Sequence, residues 1–278
     1  MKYYIIDAFT NRPFGGNPAG VVLLQGNSFP TEELMLKVAA ELRYSETAFV
    51  RRDSDKEYTI RYFTPKAEVE LCGHATIAVF SLLKQIQIAK GECLCHTLAG
   101  NLHIEVGEKV MMQMAKSRIV ATIKDTKEIY HALGVTGFQP ALPVQIVYSG
   151  LPDIIIPLHD VAMLQTLKPD MNLISAITHK YKAVSFHVFA FGKDDNTANV
   201  RDFAPLYGVP EESATGTANA ALTHYLQQNG CIPPSGDFSF LQGEAMGRPS
   251  IVATRITDDG TIYVGGTATI LASGELMV

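Results

Sequence analysis

Two short stretches of the chain carry residue types that could do chemistry. "ELCGHATIA" (Glu70–Ala78) sets a thiol, a glycine and an imidazole ahead of an apolar run, and "ATGTANAAL" (Ala214–Leu222) sets two hydroxyls around a glycine ahead of another. In each, a small residue, glycine and an alanine two places on open the run: Cys72-Gly73-His74-Ala75 and Thr215-Gly216-Thr217-Ala218. If both runs are helices, free backbone N–H groups at their starts can bind an anion, and glycine lets a ligand approach closely. Such donors suit a carboxylate or a developing enolate. The alternative is that glycine relieves crowding where the chain turns into the helix.

The elements that position these residues are repeated. "SETAFVRRDSDKEYTIRYFTP" (Ser45–Pro65) aligns with "SFHVFAFGKDDNTANVRDFAP" (Ser185–Pro205) at an offset of 140, and a three-residue insertion in "LYGVPEESA" then moves the offset to 143. From there "GHATIAVFSLL" aligns with "GTANAALTHYL", and "NPAGVVLL" loosely matches "LPDIIIPL". A single repeat of this length predicts two similar lobes rather than a solenoid. Within them "TEELMLKVAAELR" reads as an amphipathic helix with Thr31 as N-cap, and "EYTIRYF", "NLHIEV" and "VFAFG" as strands. "ATIAVFSLL" is apolar nearly all round, the pattern of a helix buried on every side. The expected fold is α+β, with two pseudo-symmetric lobes, each a barrel-like mixed sheet wrapped around one central helix.

Composition excludes several classes. The 278 residues are 47% hydrophobic and 18% charged with a net charge of −5, and no Lys/Arg-rich run offers a footprint for nucleic acid. No apolar stretch approaches membrane-spanning length, and "MKYYIIDAFTNRPFGG" does not read as a secretory signal, so a cytoplasmic protein is expected. Four cysteines (Cys72, Cys93, Cys95, Cys231) make no disulfide framework. "CLCH" has no second ligand pair to complete a zinc site and reads as a strand with Cys93 and Cys95 on one face. Nucleotide-binding and serine-hydrolase motifs are absent, so no metal and no organic cofactor are expected.

At this point the chain resembles a known family. "DAFTNRPFGGNPAGVVLL", "SETAFV", "LCGHATIA", "EESATGTANAAL" and "QGEAMGRPSIV" look like the successive motifs of the phenazine-biosynthesis PhzF-like isomerases, similar in fold to diaminopimelate epimerase. The resemblance spans essentially the whole chain. It implies a first lobe of residues 1–117 plus 265–278, a second of 118–264, an active site in the cleft between them, and a homodimer. It also implies cofactor-independent isomerisation of a small carboxylated metabolite. The family's glutamate base falls on Glu46 and its histidine on His74. Its aspartate before the second helix is Glu212 here, and its closing serine is Thr217, so carboxylate and hydroxyl are kept while their size changes. Substrate contacts fall on Asn17, Gly73, Ala75, Thr215, Gly216 and Thr217.

The residues themselves bear on these roles. Under the 140 offset Glu46 matches Phe186, so it is expected to be partly buried; burial raises a carboxyl pKa and a nearby helix start lowers it, leaving the direction open. His74, in a first helical turn, favours the neutral imidazole, which suits polarising a substrate; a histidine that caps or packs is the alternative. Glu212 could act on substrate or cap its helix. Two-base racemases of this fold place a thiol at each helix start, whereas here Cys72 is matched by Thr215. A two-thiol racemase is therefore disfavoured, and Cys72 is expected to be a bystander. The expected activity is proton movement between carbons by Glu46. An epimerase using Glu46 and Cys72, and a non-catalytic metabolite-binding protein, are the alternatives.

Overall fold

The computed structural model describes residues 1–192 and 195–278; Lys193 and Asp194, inside the second copy of the repeat, lie outside the described residues. The chain divides into two compact units, residues 1–113 with 265–278 and residues 114–264.

In the first unit Lys2–Ala8 pairs antiparallel with both Ala268–Glu275 and Asn17–Leu23. From Asn17–Leu23 the sheet continues parallel to Thr47–Arg52, antiparallel to Glu57–Phe63, parallel to Gly91–Thr97 and antiparallel to Gly100–Val106. Each parallel step needs a crossover, and each crossover is a helix. Glu32–Leu42 lies on the outer face, where Met35, Val38 and Ala39 pack with Phe49 and Phe63, and Thr31 caps it by accepting from the Leu34 N–H at 3.3 Å. The second crossover, Gly73–Gln85, is the central helix. Every side chain from His74 to Leu83 is buried, in contact with strands on several sides. Cys93 and Cys95 are buried on one face of Gly91–Thr97, and His96, on the other, bonds Asn101 at 2.9 Å.

The second unit repeats this order. Val144–Tyr148 is antiparallel to Pro152–Pro157, which is parallel to Phe186–Phe191; then follow Ala198–Ala204 (antiparallel), Gly236–Gln242 (parallel) and Ser250–Ile256 (antiparallel). Its outer helix Met171–Tyr181 covers Phe186, Val188 and Phe203, and its central helix, Gly216–Gln228, packs against Phe189, Val200 and Phe240. The molecule is thus α+β, each unit a mixed sheet about a central helix. Among the described residues no helix is long and apolar enough to cross a membrane.

One alignment is corrected by the backbone. Thr47 pairs with Phe63, and Phe186 pairs with Phe203. Phe63 to Phe203 is an offset of 140, but Thr47 to Phe186 is 139. The bonds entering these strands agree: Gly20 N–H donates to Glu46 O at 3.1 Å, and Ile154 N–H to Ser185 O at 3.0 Å. Glu46 therefore matches Ser185, not Phe186. The connection between the two strands is one residue longer in the second copy, and a slip of one residue exchanges the faces of a strand. Phe186 points to the outer helices, whereas Ser185 points inward to a buried carboxylate.

Candidate active site

Glu46 immediately precedes the strand Thr47–Arg52, and His74 is the second residue of the central helix, so the sheet and the helix start bring them together. Glu46 Oε2 stands 3.4 Å from His74 Nε2; the glutamate side chain is 21% exposed and the imidazole 5%. Ser45 Oγ also lies 3.4 Å from Nε2, and Cys72 Sγ lies 3.4 Å from Nδ1. Burial lowers the histidine's pKa, while the Glu46 charge pushes the other way. The positive end of the helix adds to the first effect. A neutral imidazole between a carboxylate and a thiol results.

The helix start is pinned from behind. Thr76 Oγ1 donates to the Cys72 carbonyl at 2.7 Å and lies 2.7 Å from the Tyr62 hydroxyl. Cys72, the N-cap, has an extended backbone and no side-chain cap bond. Crowding does not explain the next glycine: among the described residues beyond its own helix turn, a Cβ at Gly73 would meet Met112 Cε alone, at an ordinary 3.7 Å. Glycine here leaves space rather than relieving a clash, which suits close approach of a ligand to the first N–H groups. Ala75 is buried one residue beyond His74, and Asn17 is buried at the start of Asn17–Leu23.

Glu46, Cys72 and His74 each offer a donor atom, all within 4.8 Å of one another, a set able to hold a metal ion. "CLCH", the only clustered set in the sequence, is not part of it. The converging residues are 28 positions apart from first to last, so no local spacing rule detects them.

In the second unit Glu212, Thr215 and Thr217 sit at the start of the second central helix, all partly accessible. Thr215 does not cap the helix with its side chain. Its hydroxyl lies 2.8 Å from Glu212 Oε2 and 3.1 Å from Asp202 Oδ2. Gln242 organises the backbone: its Oε1 accepts from Thr215 N–H at 3.1 Å and from Asn219 Nδ2 at 2.8 Å, and its Nε2 donates to Glu212 O at 2.8 Å. Glu212 is therefore not a simple capping carboxylate. Behind it is a buried polar group that sequence reasoning missed: Asp153, Ser185, His187 and Asp202. The signal was present in "RDFAP", where a charged residue interrupts an apolar strand at the place Tyr62 occupies in the first half.

The comparisons agree on the family. The chain matches the phenazine biosynthesis-like protein family (PhzC-PhzF) over residues 6–274. It is 35% identical to an uncharacterized isomerase of Deinococcus radiodurans, covering 98% of this chain and 94% of that one. It is 31% identical to the uncharacterized isomerase YddE of Escherichia coli, covering 99% and 97%. A crystal structure of the Bacillus anthracis phenazine biosynthesis protein of the PhzF family superposes with a TM-score of 0.91 at 26% identity, over 100% of this chain and 99% of that one. In structural class this is an α+β protein of two units, each a mixed sheet about a central helix. The chain belongs to the PhzC-PhzF phenazine biosynthesis-like family.

Proposed function

We propose that the protein is a cofactor-independent isomerase that moves a proton between carbons of a small carboxylated metabolite, with Glu46 as general acid and base. The observation that carries this reading is the Glu46–His74 pair: a half-buried carboxylate with part of its surface open, 3.4 Å from an imidazole that burial keeps neutral. A base must reach its proton directly, and Glu46 keeps part of its carboxylate open to a ligand while its other side meets the imidazole. Glu46 takes a proton from carbon, the electron pair spreads into the conjugated system of the substrate, and the same carboxyl returns the proton to a second carbon. Backbone N–H groups at Gly73 and the neutral His74 steady the charge that develops. Glu212, Thr215, Gly216 and Thr217 are assigned to contact the substrate, and a homodimer goes with the same reading.

A specific observation favours a second reading. Cys72 Sγ, read from the sequence as a bystander, stands 3.4 Å from His74 Nδ1. With Glu46 on one side and Cys72 as opposing acid, the site could epimerise a stereocentre. Incubating a ligand recovered from the purified protein, identified by mass spectrometry, in heavy water separates these readings. Deuterium at a new position with double-bond migration supports isomerisation; deuterium at a single inverted centre supports epimerisation; no incorporation leaves a binding protein.

A further inference from the structure

Each unit carries an arginine whose guanidinium forks onto a glutamate. In the first unit Arg61 Nε donates to Glu68 Oε1 at 2.7 Å and its Nη2 to Glu68 Oε2 at 2.6 Å. In the second, Arg201 sets the same two nitrogens on the same two oxygens of Glu211, both at 2.8 Å. Each guanidinium also lies over the phenylalanine two residues on, 5.4 Å from the ring centre of Phe63 and 4.9 Å from that of Phe203. Arg61 matches Arg201 at the offset of 140 and Glu68 matches Glu211 at 143, so the fork bridges the three-residue insertion and keeps its form. Each glutamate stands four residues before the N-cap of its central helix, Cys72 or Thr215.

The ladders behind these forks are short. In the first unit Tyr62 pairs with Val69 and Phe63 with Glu68. In the second the pairs are Asp202 with Glu212 and Ala204 with Val209, so two steps along one strand meet three along the other. The extra residue falls at Pro210 and Glu211, and Pro210 has no N–H to give to a ladder. A ladder broken in this way specifies weakly which face its side chains take. A bidentate fork specifies it well, because it fixes direction as well as charge. Arg201 points towards the outer helices, where its Nη1 donates to Leu164 O at 3.2 Å at the end of Val161–Gln165. Glu211 is drawn to that side. Alternation then turns the next residue, Glu212, to the other, where its Oε2 accepts from Thr215 Oγ1 at 2.8 Å.

We propose that Arg201, acting through Glu211, is the positioning residue for Glu212: the outer fork holds Glu211 away from the central helix and so keeps the Glu212 carboxyl at the helix start. Gln242 grips the same segment from inside, its Nε2 donating to Glu212 O at 2.8 Å. Every residue has a carbonyl, so that bond places the backbone without choosing the side chain turned inward. In the first unit the same arrangement presents Val69 in place of Glu212, and Glu46 is the carboxylate there. The contact of Glu212 with substrate rests on the isomerase reading; its placement at the helix start does not.

The test is NMR on the protein alone, labelled at the threonine methyl groups. Thr215 reports the contact with Glu212. Thr223 and Thr254, whose hydroxyls lie 2.8 Å apart in the same unit, report the packing around the central helix. Glu212→Ala marks where the Thr215 signal falls when the contact is lost. Arg201→Met is expected to carry that signal most of the way to this position while Thr223 and Thr254 stay in place. Arg201→Lys, which keeps the charge and loses the fork, displaces it less and in the same direction; it decides alone if Arg201→Met fails to fold. Exchanging the partners, Arg201→Glu with Glu211→Arg, restores the fork in reverse and returns Thr215 towards its wild-type position. A Thr215 signal unmoved in every single variant that folds, or Thr223 and Thr254 moving as far as Thr215, overturns the proposal. The measurement needs no substrate, so its outcome and that of the heavy-water experiment are independent.

Discussion

Replacing Glu46 by glutamine removes a proton acceptor while keeping the size and hydrogen-bonding reach of the side chain. A positioned acid–base group contributes about 10²–10⁴ in rate, so the barrier should rise by about 3–5 kcal/mol. The same substitution acts on His74. At 3.4 Å the attraction between carboxylate and imidazolium is about 5 kcal/mol at an effective dielectric of about 20, an upper bound because Glu46 is partly exposed. Without it burial acts unopposed, and the imidazole resists protonation more strongly. As pH falls below about 6.5 the unfolded histidine takes up a proton that the folded one refuses, so stability falls with pH there. That loss should extend over a wider window in Glu46→Gln than in the wild type. Heavy-water exchange into the recovered ligand measures the first effect, thermal unfolding against pH the second, and calorimetry checks that binding survives. Wild-type exchange in Glu46→Gln would refute the reasoning and move the chemistry to Glu212 or Cys72.

The remaining expectations are narrower. Cys72→Ala should leave proton exchange nearly intact under the isomerase reading; a drop of about a thousandfold, the scale of losing an acid–base group, would establish the epimerase instead. A chelator should not change turnover. If turnover disappeared with chelator and returned with zinc, Glu46, Cys72 and His74 would be the ligands and the cofactor-free reading would fail. Asp153→Asn should raise the thermal midpoint at neutral pH, because the folded protein keeps this group neutral while the unfolded chain ionises it. The gain should shrink as pH falls towards the ordinary aspartate value, where both states are protonated, and its absence at neutral pH would show Asp153 to be ionised in the fold.

Much of the architecture was legible because it rests on periodicity and repetition. The all-apolar run after Gly73 is a helix buried from His74 to Leu83, and the loose match of "NPAGVVLL" to "LPDIIIPL" corresponds to structurally equivalent strands. What failed was register. An alignment scores residue similarity, and Ser45 above Ser185 is a good match in letters; a backbone ladder counts positions, and the loop that follows is one residue longer in the second copy. The error mattered because it set Glu46 against a core phenylalanine and so hid the inward-facing Ser185. Polar clusters were illegible for a related reason. Asp153, His187 and Asp202 come from three different strands and Ser185 immediately precedes one of them, and each alone looks like an isolated polar residue in an apolar run. Only the cross-strand pairing of His187 with Asp202, and the hydroxyl bridges on either side, turn them into one network. Burial makes that network costly unless its polar atoms are paired, so its members are tied together by the fold although nothing in their sequence spacing ties them.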